Sequence, residues 1–334
     1  MDVATIVTAP LLVTSEDFET LVPEWEALFA RVAGAPPFLH PAWQRTWLRH
    51  FGADASPLFL SLRDGEELAG VAALDMASSG ARQLGDHNVT DYAGPLVLPG
   101  LEEAACAAIV EWLMEDLTGS MLFWGIAADS PVRAAITTGA ARFGWSCEEE
   151  HEAVCPRAEL PGDFETFLAG LSKHDRHELR RKLRNLGAAG DVRFATFSKR
   201  TEIEARMDRF LELMRISRDD KDEFLTPAME QYFRDVAGTF ADLGMMRLAV
   251  LTLDGREAAM ILYFENETTL FLYNSGYDPE FSKLAVGLLS KAMALQDAIE
   301  RGKKTFDFLR GEEEYKRHLG GVPVEVLRLR LQAP

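Results

Sequence analysis

Cysteine is scarce in this 334-residue chain: Cys106, Cys147 and Cys155 are odd in number, and no two form a Cys-x-x-Cys pair. That count and spacing exclude a disulfide framework and a zinc ribbon and fit a reducing, cytoplasmic compartment. Long apolar runs are missing too. The longest helical apolar segment, 284–299, is interrupted by Lys291, Gln296 and Asp297, and a membrane span needs about 18 unbroken residues. The opening Met1-Asp2-Val3-Ala4-Thr5 lacks a basic segment, and the apolar core at 11–13 is too short for a secretory leader, so no secretion is expected. No His-Glu-x-x-His, Gly-x-Ser-x-Gly or Walker pattern occurs. His174 and His177 stand three apart, but in a stretch dense with Lys and Arg that repels a divalent cation, so no metal site is expected. Positive charge is in deficit, 35 Lys and Arg against 53 Asp and Glu, a net charge of −18. Such a surface repels phosphodiester backbones and disfavours bulk nucleic-acid binding.

What is present is enough apolar material, 47% of residues, for two domains with cores of their own. Periodicity and turn residues predict a strand at 5–13, a helix capped by Ser15 and running to 32, and a second helix after Pro41. Alternating runs at 58–62 and 68–74 join through Asp64-Gly65 and continue to 81–84, a meander. A helix at 101–117, a strand at 121–125, a helix at 131–143 and a strand at 146–154 follow. The second half repeats this order: a strand at 192–197, helices at 202–218 and 227–241, and a meander at 246–253, 258–264 and 268–274 with Asp254-Gly255 at its first turn. A helix at 285–301, a strand at 304–308, a short helix at 312–318 and a strand at 324–331 complete it. Both halves spell β-α-α-β-β-β-α-β-α-β, which indicates a duplicated domain. The expected division is residues 1–160, a linker at 161–190, and 191–334. The linker holds a basic amphipathic helix with Leu179, Leu183 and Leu186 on one face and Arg176, Arg180 and Arg184 on another.

Several runs carry a family resemblance together: Leu272-Tyr273-Asn274-Ser275-Gly276-Tyr277-Asp278-Pro279-Glu280, Gly287-Leu288-Leu289, Phe306-Asp307-Phe308-Leu309-Arg310-Gly311 and Tyr315-Lys316. Phe38-Leu39-His40-Pro41-Ala42-Trp43, Thr90-Asp91-Tyr92-Ala93-Gly94-Pro95-Leu96 and Leu171-Ser172-Lys173 add to them. The chain resembles the CelD/BcsL-type branch of the GNAT acyltransferases, whose tandem layout is shared with the Fem aminoacyltransferases. The resemblance implies an α+β fold of two tandem GNAT-like lobes, each a mixed, mostly antiparallel sheet flanked by helices. It also implies an acyl-CoA donor, acetyl-CoA foremost, held by the second lobe, and an amine acceptor on an exopolysaccharide or cell-envelope precursor.

Within that frame, Ser282-Lys283-Leu284-Ala285-Val286-Gly287 occupies the pyrophosphate-loop position, because a helix start gathers unpaired N–H groups and positive dipole. Lys283, Leu284, Ala285, Val286 and Gly287 are the expected donor-binding residues, although one glycine stands where the family pattern has two small residues. The corresponding helix of the first half opens with Glu102 and Glu103, which repel a pyrophosphate. Thioester aminolysis needs a neutral amine and an acid for the departing thiolate. Tyr315, on the short helix after the fifth strand, matches the family's acid. Asp307, flanked by Phe306 and Phe308, must pair with a cation such as Arg310 or Lys316, or act as a base. Glu312, in the run Glu312-Glu313-Glu314, is a candidate base acting through water. Asp91 and Tyr92 are candidate acceptor-site residues, with Arg310, Lys316, Arg176 and Arg180 as cations for an anionic acceptor or for peripheral contact with an anionic membrane surface. Two other readings stay open: a Fem-like aminoacyl-tRNA-dependent transferase, and a non-catalytic pair of lobes that binds a glycan or protein partner.

Overall fold

The computed structural model describes residues 11–77, 80–116 and 119–334. The first stretch runs β1 (Leu12–Ser15), α1 (Phe18–Arg31), α2 (Pro41–Phe51), β2 (Pro57–Asp64), β3 (Glu67–Ala77), β4 (Gly80–Gln83), β5 (Leu96–Val97), α3 (Glu102–Asp116), β6 (Ser120–Ala127), α4 (Pro131–Arg142) and β7 (Ser146–Val154). Next come β8 (Arg157–Glu159), α5 (Phe164–Gly170), α6 (Lys173–Gly187), β9 (Val192–Phe197), α7 (Arg200–Glu204), α8 (Met207–Ser217), α9 (Asp219–Phe224) and α10 (Pro227–Asp242). The chain closes with β10 (Met246–Leu253), β11 (Arg256–Glu265), β12 (Thr269–Tyr277), α11 (Val286–Glu300), β13 (Thr305–Asp307), α12 (Glu314–His318) and β14 (Glu325–Gln332).

Local chemistry sets many of these bounds. Asp17, not Ser15, caps α1, accepting the Thr20 N–H at 3.1 Å, and the strand expected over 5–13 is described only from Leu12, its residues 5–10 lying outside the described ones. Pro41 and Pro227 take the first helical positions of α2 and α10, behind the caps His40 and Thr226. Asp254 and Gly255, both at positive φ, make the two-residue turn between β10 and β11. The helix expected over 202–218 is broken into α7 and α8, and β8, α5 and α9 are additions that no periodicity announced.

The strands form two mixed sheets. In the first, the order is β1-β2-β3-β4-β6-β14-β7, with β5 beside β3; in the second it is β8-β13-β12-β11-β10-β9. Among the pairs whose register is described, β4 with β6 and β12 with β13 are parallel. The pairs β1–β2, β2–β3, β3–β4, β6–β14, β9–β10, β10–β11, β11–β12 and β8–β13 are antiparallel.

Two compact units result, residues 1–153 with 324–334, and residues 154–323. The division at 160 and 190 thus shifts, for two reasons. Residues 161–190 are no linker, since α5 and α6 bury Phe167, Leu168, Leu179 and Leu186 in the core of the second unit. And β14, expected in the second lobe, completes the first sheet, where Leu327, Leu329 and Leu331 join Leu60, Leu74, Phe123 and Ile136. Strand β8 makes the reverse move, pairing Ala158 with Phe306 at the edge of the second sheet.

Helix α8 crosses β12 at Gly276, where an added Cβ would come within 2.3 Å of the Met214 nitrogen and 2.4 Å of the Leu213 carbonyl carbon. Backbone cannot yield as a side-chain tip can. Gly276→Ala is therefore expected to cost about 3 kcal/mol, read as a lower urea midpoint; a loss below about 0.5 kcal/mol would mean the helix sits further from the strand.

Candidate active site at a parted strand pair

Strands β12 and β13 pair in parallel through Thr269–Thr305, Leu270–Phe306 and Phe271–Asp307, after which β12 runs six residues further beside β11 but without β13. The cause lies in the chain after β13. The Phe308 N–H bonds the Pro156 carbonyl at 2.9 Å and the Gly311 N–H bonds the Val154 carbonyl at 2.9 Å, so residues 308–311 follow the other neighbour and leave β12. Asp307 anchors the departure. Its Oδ1 accepts the N–H of Leu309, a residue at positive φ, at 2.8 Å, and its Oδ2 takes Arg157 Nε at 3.0 Å. The cation that these contacts set beside Asp307 is Arg157, which the sequence reading did not name. With both oxygens engaged and the side chain 2% exposed, the aspartate holds the bend rather than standing ready as a base.

Lys316 is a second anchor. Buried, it donates to the carbonyls of Leu309 at 3.0 Å, Arg310 at 2.7 Å and Gly311 at 3.1 Å, and its ammonium lies 3.0 Å from Glu313. Three N–H donors meet three carbonyls, so the group expected to bind substrate instead shapes residues 309–311. Arg310 enters this arrangement through its carbonyl. Glu312 is exposed; the carboxylate that faces inward is Glu313, with Lys316 and, at 3.5 Å, Arg218 beside it. Burial works against the charge of Glu313, yet Lys316 and Arg218 hold its carboxyl below the ordinary range.

Tyr315 packs against Phe308, ring centroids 6.3 Å apart, and Lys291 Nζ stands 4.8 Å from its ring centroid. Burial, with the Glu313 carboxylate, pushes the phenol well above its usual range, so it stays protonated. Lys291 projects from the second turn of α11, 6% exposed, and donates to the Gly287 carbonyl at 2.8 Å. Burial first, then the charge of Lys221, lowers its pKa from 10.5 to about 7. Lys291, Glu313, Arg218 and Lys221 were not singled out from the sequence. Lys291 did leave a signal there, a lone cation in the apolar run at 284–299.

Along the free edge of β12, Ser275 has its main-chain groups capped by side chains. Asn274 Oδ1 accepts the Ser275 N–H at 2.9 Å, and Lys221 Nζ bonds both the Ser275 carbonyl and, at 2.9 Å, Asn274 Oδ1. Past β12, a 3-10 turn (Pro279–Leu284) leads to Ala285 in the left-handed conformation, φ 54°, from which α11 starts without a side-chain cap. Lys283 is exposed there, Leu284, Ala285 and Gly287 are half-buried, and Val286 is buried. A cavity of about 110 Å³ lies nearby, lined by His174, Asp175, Glu178, Lys182, Leu288 and His318, with His318 Nδ1 2.6 Å from Asp175. Arg176 bonds the Ala169 carbonyl at 3.0 Å and Arg180 pairs with Glu165, so the basic face of α6 is partly neutralised by its own unit.

The first unit has a matching parallel pair, β4 and β6, last registered at Arg82–Leu122, but its own chain fills the opening. The Ala93 N–H bonds the Gly125 carbonyl at 2.9 Å, and Trp124 Nε1 bonds the Gln83 carbonyl at 2.9 Å. Tyr92, proposed for the acceptor, is 4% exposed against Phe38, and Asp91 sits in the same crossing segment. Tyr92 therefore packs a core rather than lining a surface. Among the described residues no group of three or more potential ligands could hold a metal ion, and no helix is long and apolar enough to cross a membrane.

The lowered acidity range of Lys291 has a consequence for stability. Between pH about 7 and 10.5 the unfolded chain holds a proton at residue 291 that the folded chain has released, so stability climbs with pH across that window. Below it the folded protein carries the full cost of a buried ammonium. Urea midpoints at about pH 6 and about pH 9 are expected to differ more for the natural chain than for Lys291→Met; equal differences would assign the lysine an ordinary pKa.

Residues 173–317 match a family model described as an acetyltransferase (GNAT) domain. No curated protein matches the sequence. Among solved structures, FemX is similar over 95% of this chain and 96% of its own, at 12% identity and a TM-score of 0.66. A conserved protein of unknown function from Bacteroides thetaiotaomicron is similar over 97% and 100%, at 11% identity and a TM-score of 0.62. A tandem GNAT protein from the clavulanic acid biosynthesis pathway is similar over 97% and 99%, at 17% identity and a TM-score of 0.50. Such identities speak for the fold alone: a mixed α+β, GNAT-like tandem architecture whose second unit carries the matched GNAT domain.

Proposed function

We propose that the second unit is an N-acyltransferase that takes its acyl group from acyl-CoA, with acetyl-CoA as the simplest donor, at the opening between β12 and β13. The carrying observation is Tyr315: a phenol held protonated by burial, with no hydrogen bond among the described residues, beside a strand edge free to take an extended amide-bearing chain. The donor's amide arm would lie along β12, exchanging hydrogen bonds with Ser275 that Asn274 and Lys221 now supply. Its pyrophosphate would meet the turn from Lys283 to Gly287, where α11 opens uncapped.

In the reaction the neutral acceptor amine attacks the thioester carbonyl. The C–N bond forms, the C–S bond breaks, and the sulfur electron pair takes the Tyr315 proton. The surplus proton on nitrogen returns to the tyrosinate, and Glu313, rather than Glu312, is the carboxylate placed to take a proton from an incoming ammonium through water. The resemblance to CelD/BcsL-type proteins supports an amino group of an exopolysaccharide or cell-envelope precursor as acceptor, in the cytoplasm or at the anionic face of its membrane. A Fem-like reading, with an aminoacyl-tRNA donor, is favoured by the likeness to FemX; the charge of −18 stands against it.

Titration calorimetry with acetyl-CoA and longer acyl-CoAs tests the donor. Micromolar binding is expected, and absence of heat with all of them would end the proposal. Tyr315→Phe should lower kcat about 100-fold with little change in the KM for the donor; an unchanged kcat would remove the phenol from the chemistry.

A further inference from the structure

Lys291 has no part in the chemistry above, yet it is a buried cation whose nitrogen stands against the Tyr315 ring. Its surroundings are those of a donor and a positive charge. One N–H reaches the Gly287 carbonyl at 2.8 Å, and the nitrogen sits 4.8 Å from the Tyr315 ring centroid, within the range at which a cation is attracted by the aromatic face. The charged groups that face it from the neighbouring elements are Lys221 of α9, Arg218 just before α9, Glu313 ahead of α12 and Lys316 within α12. Three of these are cations, and an ammonium among them persists only where something offsets their repulsion. Glu313 and the ring face oppose it in part.

We infer that Lys291 is a positioning residue for Tyr315, its ammonium lying on the ring face to steady the phenolate that forms as the phenol gives its proton to the departing sulfur. This rests on the acyl-transfer reading for its purpose, but the pairing of ammonium and ring stands apart from it. No atom of Lys291 is transferred. Its charge lowers the cost of the C–S cleavage step, and the proton from the acceptor nitrogen restores the phenol afterwards. Because the lysine titrates near pH 7, the charged form fades as pH rises, and the rate should carry a falling alkaline limb there. A general-base lysine would give a rising limb.

Two measurements test this. The first needs no substrate: nitrogen NMR of the lysine side chains, with the Lys291 signal assigned by its loss in Lys291→Met, follows its titration in the natural chain and in Tyr315→Leu. Removing the ring should lower the midpoint by about half a unit or more; an unchanged or raised midpoint would overturn the inference. The second is the pH profile of acyl transfer. Lys291→Arg, whose charge does not titrate, should move the alkaline limb up by more than about one unit, and Lys291→Met should lower kcat about tenfold while leaving the donor KM within about twofold. A rising limb near pH 7, or profiles unaltered in both variants, would equally overturn it. If no acyl-CoA is turned over by any form while the NMR midpoint falls as expected, the acyl-transfer reading fails and the pairing survives.

Discussion

The second unit depends on a competition for hydrogen bonds at one bend. After Asp307 the chain can continue beside β12 or turn to residues 154–156, and it turns, bonding Phe308 and Gly311 to Pro156 and Val154. Buried N–H groups must find an acceptor somewhere, and satisfying them on one side leaves the other side of β12 open. The opening and the exposure of the Ser275 edge to side-chain capping both follow from that choice. Asp307 and Lys316 enforce it, one by clamping the Leu309 N–H and Arg157, the other by gathering three carbonyls around a single ammonium.

The first unit shows what happens when the same parting is answered differently. There a segment of the chain crosses the gap and bonds Gly125, and an indole closes on Gln83. The two openings therefore differ for a topological reason as well as an electrostatic one. The sequence disclosed only the electrostatic half, in the Glu102 and Glu103 carboxylates at the start of α3.

Element order was legible because it rests on local signals: alternation in the meanders, Asp-Gly turns, prolines at helix starts. The place of Tyr315 on a short helix was equally legible, since motif and periodicity agreed. What escaped were facts that depend on distant partners. Asp307 reads as a buried carboxylate in need of a cation, but Arg157 is 150 residues away, and nothing local names it. Lys316 reads as a free cation until three carbonyls from the preceding loop close on it. Glu312 and Glu313 are indistinguishable as letters; only the direction each faces separates them. The exchange of β8 and β14 leaves no periodic trace at all, because a strand's alternation says which face is buried and not which sheet receives it.

That exchange also dictates an order of assembly. Strand β14 lies between β6 and β7, so the first sheet keeps a gap beside β6 until residues 325–332 arrive. Nearly two hundred residues separate those neighbours, and contacts of such long range form late. On a ribosome, the half that is made first must wait for the half that is made last. Through that wait it presents two unpaired strand edges to whatever is nearby, so the newborn chain is exposed to mispairing for most of its synthesis.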